Sequence, residues 1–120
     1  MPKALAGCLR FDLWTLAKQR ESWPILREGV RIYVIHEGPG AGEISALLSY
    51  APGARVPPHR HTGDETIFIL EGEQVDESGA YGAGSWLRNP QGTAHSVYAP
   101  HGCLVLIHWK APVIFLSEKK

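Results

Sequence analysis

Thirteen glycines and nine prolines are spread along 120 residues, between apolar runs rather than gathered in one tract. This punctuation suits short strands joined by tight turns rather than disorder. Alternation by two sets in at Gly29, where Val30, Ile32 and Val34 interleave with Arg31, Tyr33 and Ile35. A turn cluster over 37–42 leads into a returning strand over 43–50. Ala51-Pro52-Gly53 turns into the strand of His59 and His61, and others are expected at 66–70, within 71–81 on both sides of Glu77-Ser78-Gly79, and at 95–98 and 103–109, with a last apolar segment at 112–116. No internal repeat accompanies them, so the pattern predicts an all-β sandwich or barrel. Within 66–70, Ile67 and Ile69 share the face of Glu65, while Phe68 and Leu70 point the other way. Both faces therefore read as buried, which implies a second sheet or a second subunit against the outside. Residues 1–10 carry no strong pattern and read as a loose arm, and the polar tail 117–120 is expected to fray. The stretch from Phe11 to Trp23 reads either as a short helix capped by Asp12 or as an edge strand. The expected division is an arm over 1–22 and a β-barrel over 23–120.

Lysine plus arginine equals aspartate plus glutamate, twelve each, so no basic surplus points to nucleic acid or an anionic membrane. No apolar run approaches membrane-spanning length. Cys8 and Cys103 stand far apart without CxxC spacing, so they read as reduced thiols of a cytoplasmic protein.

The chemistry concentrates in Gly53 to Gly72, GARVPPHRHTGDETIFILEG. His59 and His61 are two apart, so an extended backbone presents both imidazoles on one face. Pro57 and Pro58 favour extension, and Thr62-Gly63-Asp64 reads as a turn that brings Glu65 opposite the histidines. Asp64 itself reads as a turn residue or a hydrogen-bonding support. Two imidazoles and a carboxylate are a ligand set for zinc, iron, nickel or manganese. His95 follows a second turn, Pro90 to Ala94, and is a fourth candidate. Around such a site, Arg55 has the parity of His59 and Arg88 precedes the Pro90 turn, so either is a candidate to orient an anionic substrate. Trp86, Tyr98 and Trp109 are candidate walls, and His108, on one face with Leu104 and Leu106, is a candidate lining residue. Six of the twelve acidic residues fall between Asp64 and Glu77, which reads as a solvated hairpin.

These stretches resemble the cupin family. Gly53, His59, His61, Glu65 and Gly72 fit its first motif, G(X)5HXH(X)3-4E(X)6G. Gly84, Pro90, Gly92 and His95 fit the second, with Ala99 where that motif ends in asparagine. The resemblance implies a double-stranded β-helix, or jelly-roll barrel, with one divalent metal ion on His59, His61, Glu65 and His95. It also implies a homodimer. From Trp23 onward the chain is similar, more narrowly, to the cupin-like domain of ChrR-type anti-sigma factors, above all over residues 70–103, LEGEQVDESGAYGAGSWLRNPQGTAHSVYAPHGC. In those regulators the domain is a zinc-binding module, and a separate helical domain holds the sigma factor. No HxxxCxxC motif of that helical domain occurs here, so the expectation is a stand-alone domain, and the resemblance does not carry anti-sigma activity over to it. The same cupin type resembles small metal-dependent dioxygenases. Two functions follow: a metal-dependent enzyme acting on a small carbonyl or carboxylate compound, or a non-catalytic zinc-binding sensor or interaction module.

Overall fold

Ile25 to Phe115 runs through ten strands that share one antiparallel sheet, in a computed structural model that describes residues 7–116. The start of the expected arm, residues 1–6, and the tail 117–120 lie outside the described residues. The strands are β1 (Ile25–Arg27), β2 (Val30–Glu37), β3 (Ile44–Tyr50), β4 (Ala54–His61), β5 (Glu65–Asp76), β6 (Gly79–Gly82), β7 (Trp86–Asn89), β8 (Ala94–Ala99), β9 (Cys103–Trp109) and β10 (Val113–Phe115). They pair in the order β1-β2-β3-β9-β5-β8-β4-β10, with β6 and β7 also on β5. The all-β architecture expected from the turn spacing is present.

The strand β5 rolls the sheet over. Its first half pairs with β7 and β9, whereas its last residues, from Glu73 onward, pair with β6 and, at Val75, with β8. Between the halves, a register shift from Ile69 to Glu71 and Gly72 at φ 78° bend the strand. The bend presses Gly72 against its neighbour strand: a Cβ there would stand 2.2 Å from the Gly102 carbonyl oxygen. Only glycine satisfies both conditions.

Alternation along the strands sorts the apolar residues onto two faces. Val30, Leu48, Val56, Ile67, Ile69, Val97, Val105 and Ile107 form the interior of the roll. On the outside, Leu47 and Leu104 pack with Ala17 and Trp23, and Leu70 and Leu106 lie against them. The outer cover is thus this chain's own N-terminal segment, not the second sheet or second subunit expected. It forms helix α1 (Leu13–Ala17), whose cap Asp12 accepts a hydrogen bond from the Trp14 amide at 3.0 Å, and then a 3-10 turn over Arg20–Ser22. This settles the helix-or-strand alternative. The expectation of complete burial on both faces of β5 needs correction. The helix reaches Leu70 but leaves Phe68 38% exposed and its cross-strand neighbour Trp86 62% exposed.

Candidate metal centre

His59 and His61 stand on β4, and His95 stands on β8 directly opposite His59. All three side chains are buried, and one donor atom from each lies within 4.8 Å of the others. The rings form a nearly equilateral group, with centroids 4.7, 4.9 and 5.2 Å apart. The fold brings together the three histidines that the motif spacing singled out. A bulge in β4 makes this possible. Val56 opposes Val97 and His59 opposes His95, so Pro57 and Pro58 on β4 match the single residue Ser96 on β8.

Each imidazole is anchored through Nδ1. His59 Nδ1 donates to the Pro57 carbonyl at 3.0 Å, and His61 Nδ1 lies 2.9 Å from the Thr93 carbonyl and 3.0 Å from its hydroxyl oxygen. Thr93 gives its own hydroxyl proton to the Pro90 carbonyl at 2.6 Å, so its oxygen is free to accept. His95 Nδ1 donates to Asp76 Oδ2 at 3.0 Å. A proton fixed on Nδ1 leaves the lone pair on Nε2, which is how a neutral histidine is prepared as a metal ligand. His61 Nε2 is buried 3.0 Å from Glu65 Oε1, and with the imidazole neutral and its proton on Nδ1 these are two electron-rich atoms with no proton between them. Burial pushes the His59 imidazolium below its ordinary range, with the neighbouring His95 acting in the same direction against the Pro57 hydrogen bond. For His61 burial acts the same way, but the nearby Glu65 carboxylate outweighs it and raises the value. The donor set, its burial and the close approach of the His61 nitrogen to the Glu65 carboxylate fit a divalent ion of the zinc, iron, manganese or nickel kind.

Glu65 is also buried, and its Oε1 lies 3.0 Å from His61 Nε2. It stands outside the three-histidine group. Asn89 Nδ2 donates to Oε1 at 2.8 Å and the Trp109 indole N–H to Oε2 at 2.5 Å. Burial disfavours its charged form, but His61 and these donors hold its carboxyl below the usual range. Glu65 is an ionised carboxylate, tethered on both oxygens, at the edge of the group.

His59, Glu65 and His95 open onto a cavity of about 320 Å³. Apolar residues including Leu48, Val56, Ile67, Val97 and Ile107 line most of it, and its other polar groups come from Arg27, Tyr50 and Trp109. A larger cleft of about 580 Å³ shares only Val30 and Tyr50 with this cavity and holds none of the three histidines.

Five residues expected at the pocket stand elsewhere. Arg55 is exposed and lies 3.9 Å over the Tyr98 ring, because the β4 bulge shifts the alternation between Arg55 and His59. Tyr98 alternates with the inward His95, Val97 and Ala99 and so faces out. On β7, Leu87 packs inward, leaving Trp86 and Arg88 outside, and Arg88 pairs with Asp64 at 2.7 Å. His108 does share the face of Leu104 and Leu106, but that is the outer face. There it bridges Ser45 Oγ at 2.8 Å and Glu43 Oε2 at 3.0 Å. Trp109, one residue on, faces the cavity. Sequence reasoning missed Arg27, Tyr50, Thr93 and Asp76. Asp76 sits in the acidic run that reads as a solvated hairpin, and a count by two does not carry through the β5 bend to show that it turns inward.

Comparisons with known proteins agree with this geometry. A family model, the ChrR cupin-like domain, matches residues 14–113. The chain is 36% identical over 98 residues to the anti-sigma-E factor ChrR of Cereibacter sphaeroides, covering 79% of this chain and 45% of that protein. It thus spans less than half the length of that curated relative. The crystal structure of Rhodobacter sphaeroides SigE in complex with the anti-sigma ChrR superposes with a TM-score of 0.65 at 31% identity, over 73% of this chain and 48% of that one. An acetylacetone dioxygenase from Acinetobacter johnsonii superposes with a TM-score of 0.75 over 92% of this chain and 77% of that one, and at 16% identity it speaks for the fold alone. From the match over most of its length, the chain belongs to the ChrR cupin-like domain family.

Proposed function

We propose that the protein binds one divalent metal ion through His59, His61 and His95, with Glu65 as a fourth ligand or as a tethered carboxylate beside it, and acts as a small metal-dependent enzyme. The observation that carries this reading is the three buried imidazoles, each with Nδ1 engaged, at one end of an apolar cavity. Zinc, iron, manganese or nickel at such a site supplies Lewis-acid polarisation or, if redox-active, electron exchange with dioxygen. The surrounding residues do the rest. The apolar walls exclude water and strengthen every electrostatic contact inside. Glu65, ionised and held on both oxygens, supplies a fixed negative charge beside the ion and a small carbonyl or carboxylate compound.

A second reading is favoured by the outer face. Phe68 and Trp86 are adjacent and exposed there, as an interaction surface would be. In that reading the domain is a non-catalytic zinc-binding module that docks on another protein or a second copy of itself, as the anti-sigma relative assembles with SigE.

Elemental analysis of untagged protein and the His59→Ala variant, with oxygen uptake on small dicarbonyls, tests both. Iron, manganese or nickel near one per chain, lost in the variant and accompanied by turnover, supports the enzyme. Tightly held zinc without turnover supports the module. Absence of metal even after metal salts are added would overturn both readings.

A further inference from the structure

We propose that Arg27 and Tyr50 form an anion-recognising end of the histidine cavity, so that its ligand is a small, largely apolar carboxylate. The inference rests on reading this cavity as a small-molecule site and adds what that molecule must carry. Arg27 ends β1, where a register shift between Ile25 and Arg27 sets it opposite Val30, itself a lining residue. A bulge of this kind re-aims a side chain. The guanidinium lies 4.7 Å over the Phe115 ring, and that ring is 5.7 Å from the His59 ring. One aromatic side chain therefore stands between the cation and the histidine group. Arg27 has no ion pair among the described residues, whereas Arg20 and Arg88 each have a carboxylate within 3.0 Å. Its planar donor fork matches a carboxylate in two parallel hydrogen bonds.

The Tyr50 side chain is 7% exposed and borders the same cavity, near enough to Arg27 to feel its charge. Burial, with the nearby Glu65 charge, raises its hydroxyl far above the ordinary phenol range, so it remains a proton donor. Charge balance points the same way. A divalent ion and the Arg27 guanidinium outweigh the two carboxylates at the site, Glu65 and Asp76, and leave a positive surplus. An anion entering a mostly apolar cavity compensates that surplus in a low-dielectric setting, where it counts most. The modest volume and the apolar walls limit the remainder of the ligand to a short hydrocarbon or single-ring body.

Calorimetric titration with benzoate and its uncharged isostere benzamide at pH 8 tests this. Wild type, Arg27→Gln, Tyr50→Phe and, as an outer-face control, Arg55→Gln would be compared, with metal content measured in each. Wild type is expected to bind benzoate at least about tenfold tighter than benzamide, a difference of about 1.4 kcal/mol. Arg27→Gln should abolish that preference, Tyr50→Phe should reduce it, and Arg55→Gln should leave it intact, all at unchanged metal stoichiometry. A preference retained in Arg27→Gln, or no benzoate preference in wild type, overturns the proposal. Protein that takes up no metal even from added salts, yet still prefers benzoate in an Arg27-dependent way, would leave the proposal standing and overturn the metal reading alone.

Discussion

His95 Nδ1 donates to a carboxylate, whereas His59 and His61 donate to backbone carbonyls. Asp76 and His95 are each 8% exposed at the side chain, so this is a buried charge-assisted contact. A carboxylate partner fixes the ring's orientation and its tautomer, with Nε2 left to face the other two histidines. Replacing Asp76 by asparagine keeps an acceptor and removes the charge. Metal affinity is expected to fall about 10–100-fold, the range for lost supporting contacts at metal sites. Competition with a calibrated chelator measures it, and circular dichroism should show the fold unchanged. Unaltered affinity in Asp76→Asn would reduce that residue to a packing role.

The strands show where counting residues works and where it stops. Uninterrupted runs were legible: β9 begins and ends as expected, Ile67 and Ile69 share the Glu65 face, and the histidine pair comes to lie opposite His95. Arg55 failed because two prolines cannot continue a regular ladder, and the extra residue in β4 resets the alternation. His108 failed differently: its neighbours were right, but periodicity sorts residues into two faces without saying which one holds the cavity. Arg27 lies beside the irregularity in β1 and Asp76 lies beyond the one in β5, and such turns of backbone have no period to read. The β5 bend is itself open to test. Gly72 and Gly84 both have positive φ, at 78° and 93°, but a Cβ on Gly84 meets nothing within 4 Å. Gly84→Ala should therefore cost only conformational strain, about 1 kcal/mol. Gly72→Ala adds a backbone clash and should cost several times as much, seen as a far lower urea midpoint or loss of folded protein. Equal midpoints for the two variants would mean that β5 is not pinned against Gly102.

Rolling one sheet over its own interior also sets how the whole molecule responds to pH. Tyr50 on β3 and Cys103 on β9 are partners across the ladder, and both are buried. Burial, reinforced by the nearby Glu73 charge, pushes the Cys103 thiol up to about 12 from an ordinary 9.0. The unfolded chain releases that proton near 9 while the folded chain keeps it, so the unfolded state gains ground as pH rises through the interval between them. Tyr50 acts in the same sense above its ordinary 10.0. Between pH 8 and pH 10, Cys103 alone should remove about 1.4 kcal/mol of stability. That is a visible part of the roughly 5–15 kcal/mol that a domain of this kind possesses. Urea unfolding of metal-free protein at the two pH values reads the loss. Cys103→Ala removes the thiol and should shrink the difference between pH 8 and pH 10, whatever its cavity does to stability at either one. Comparing the difference rather than the midpoints separates protonation from packing. An undiminished alkaline loss in the variant would assign it to groups other than this buried thiol.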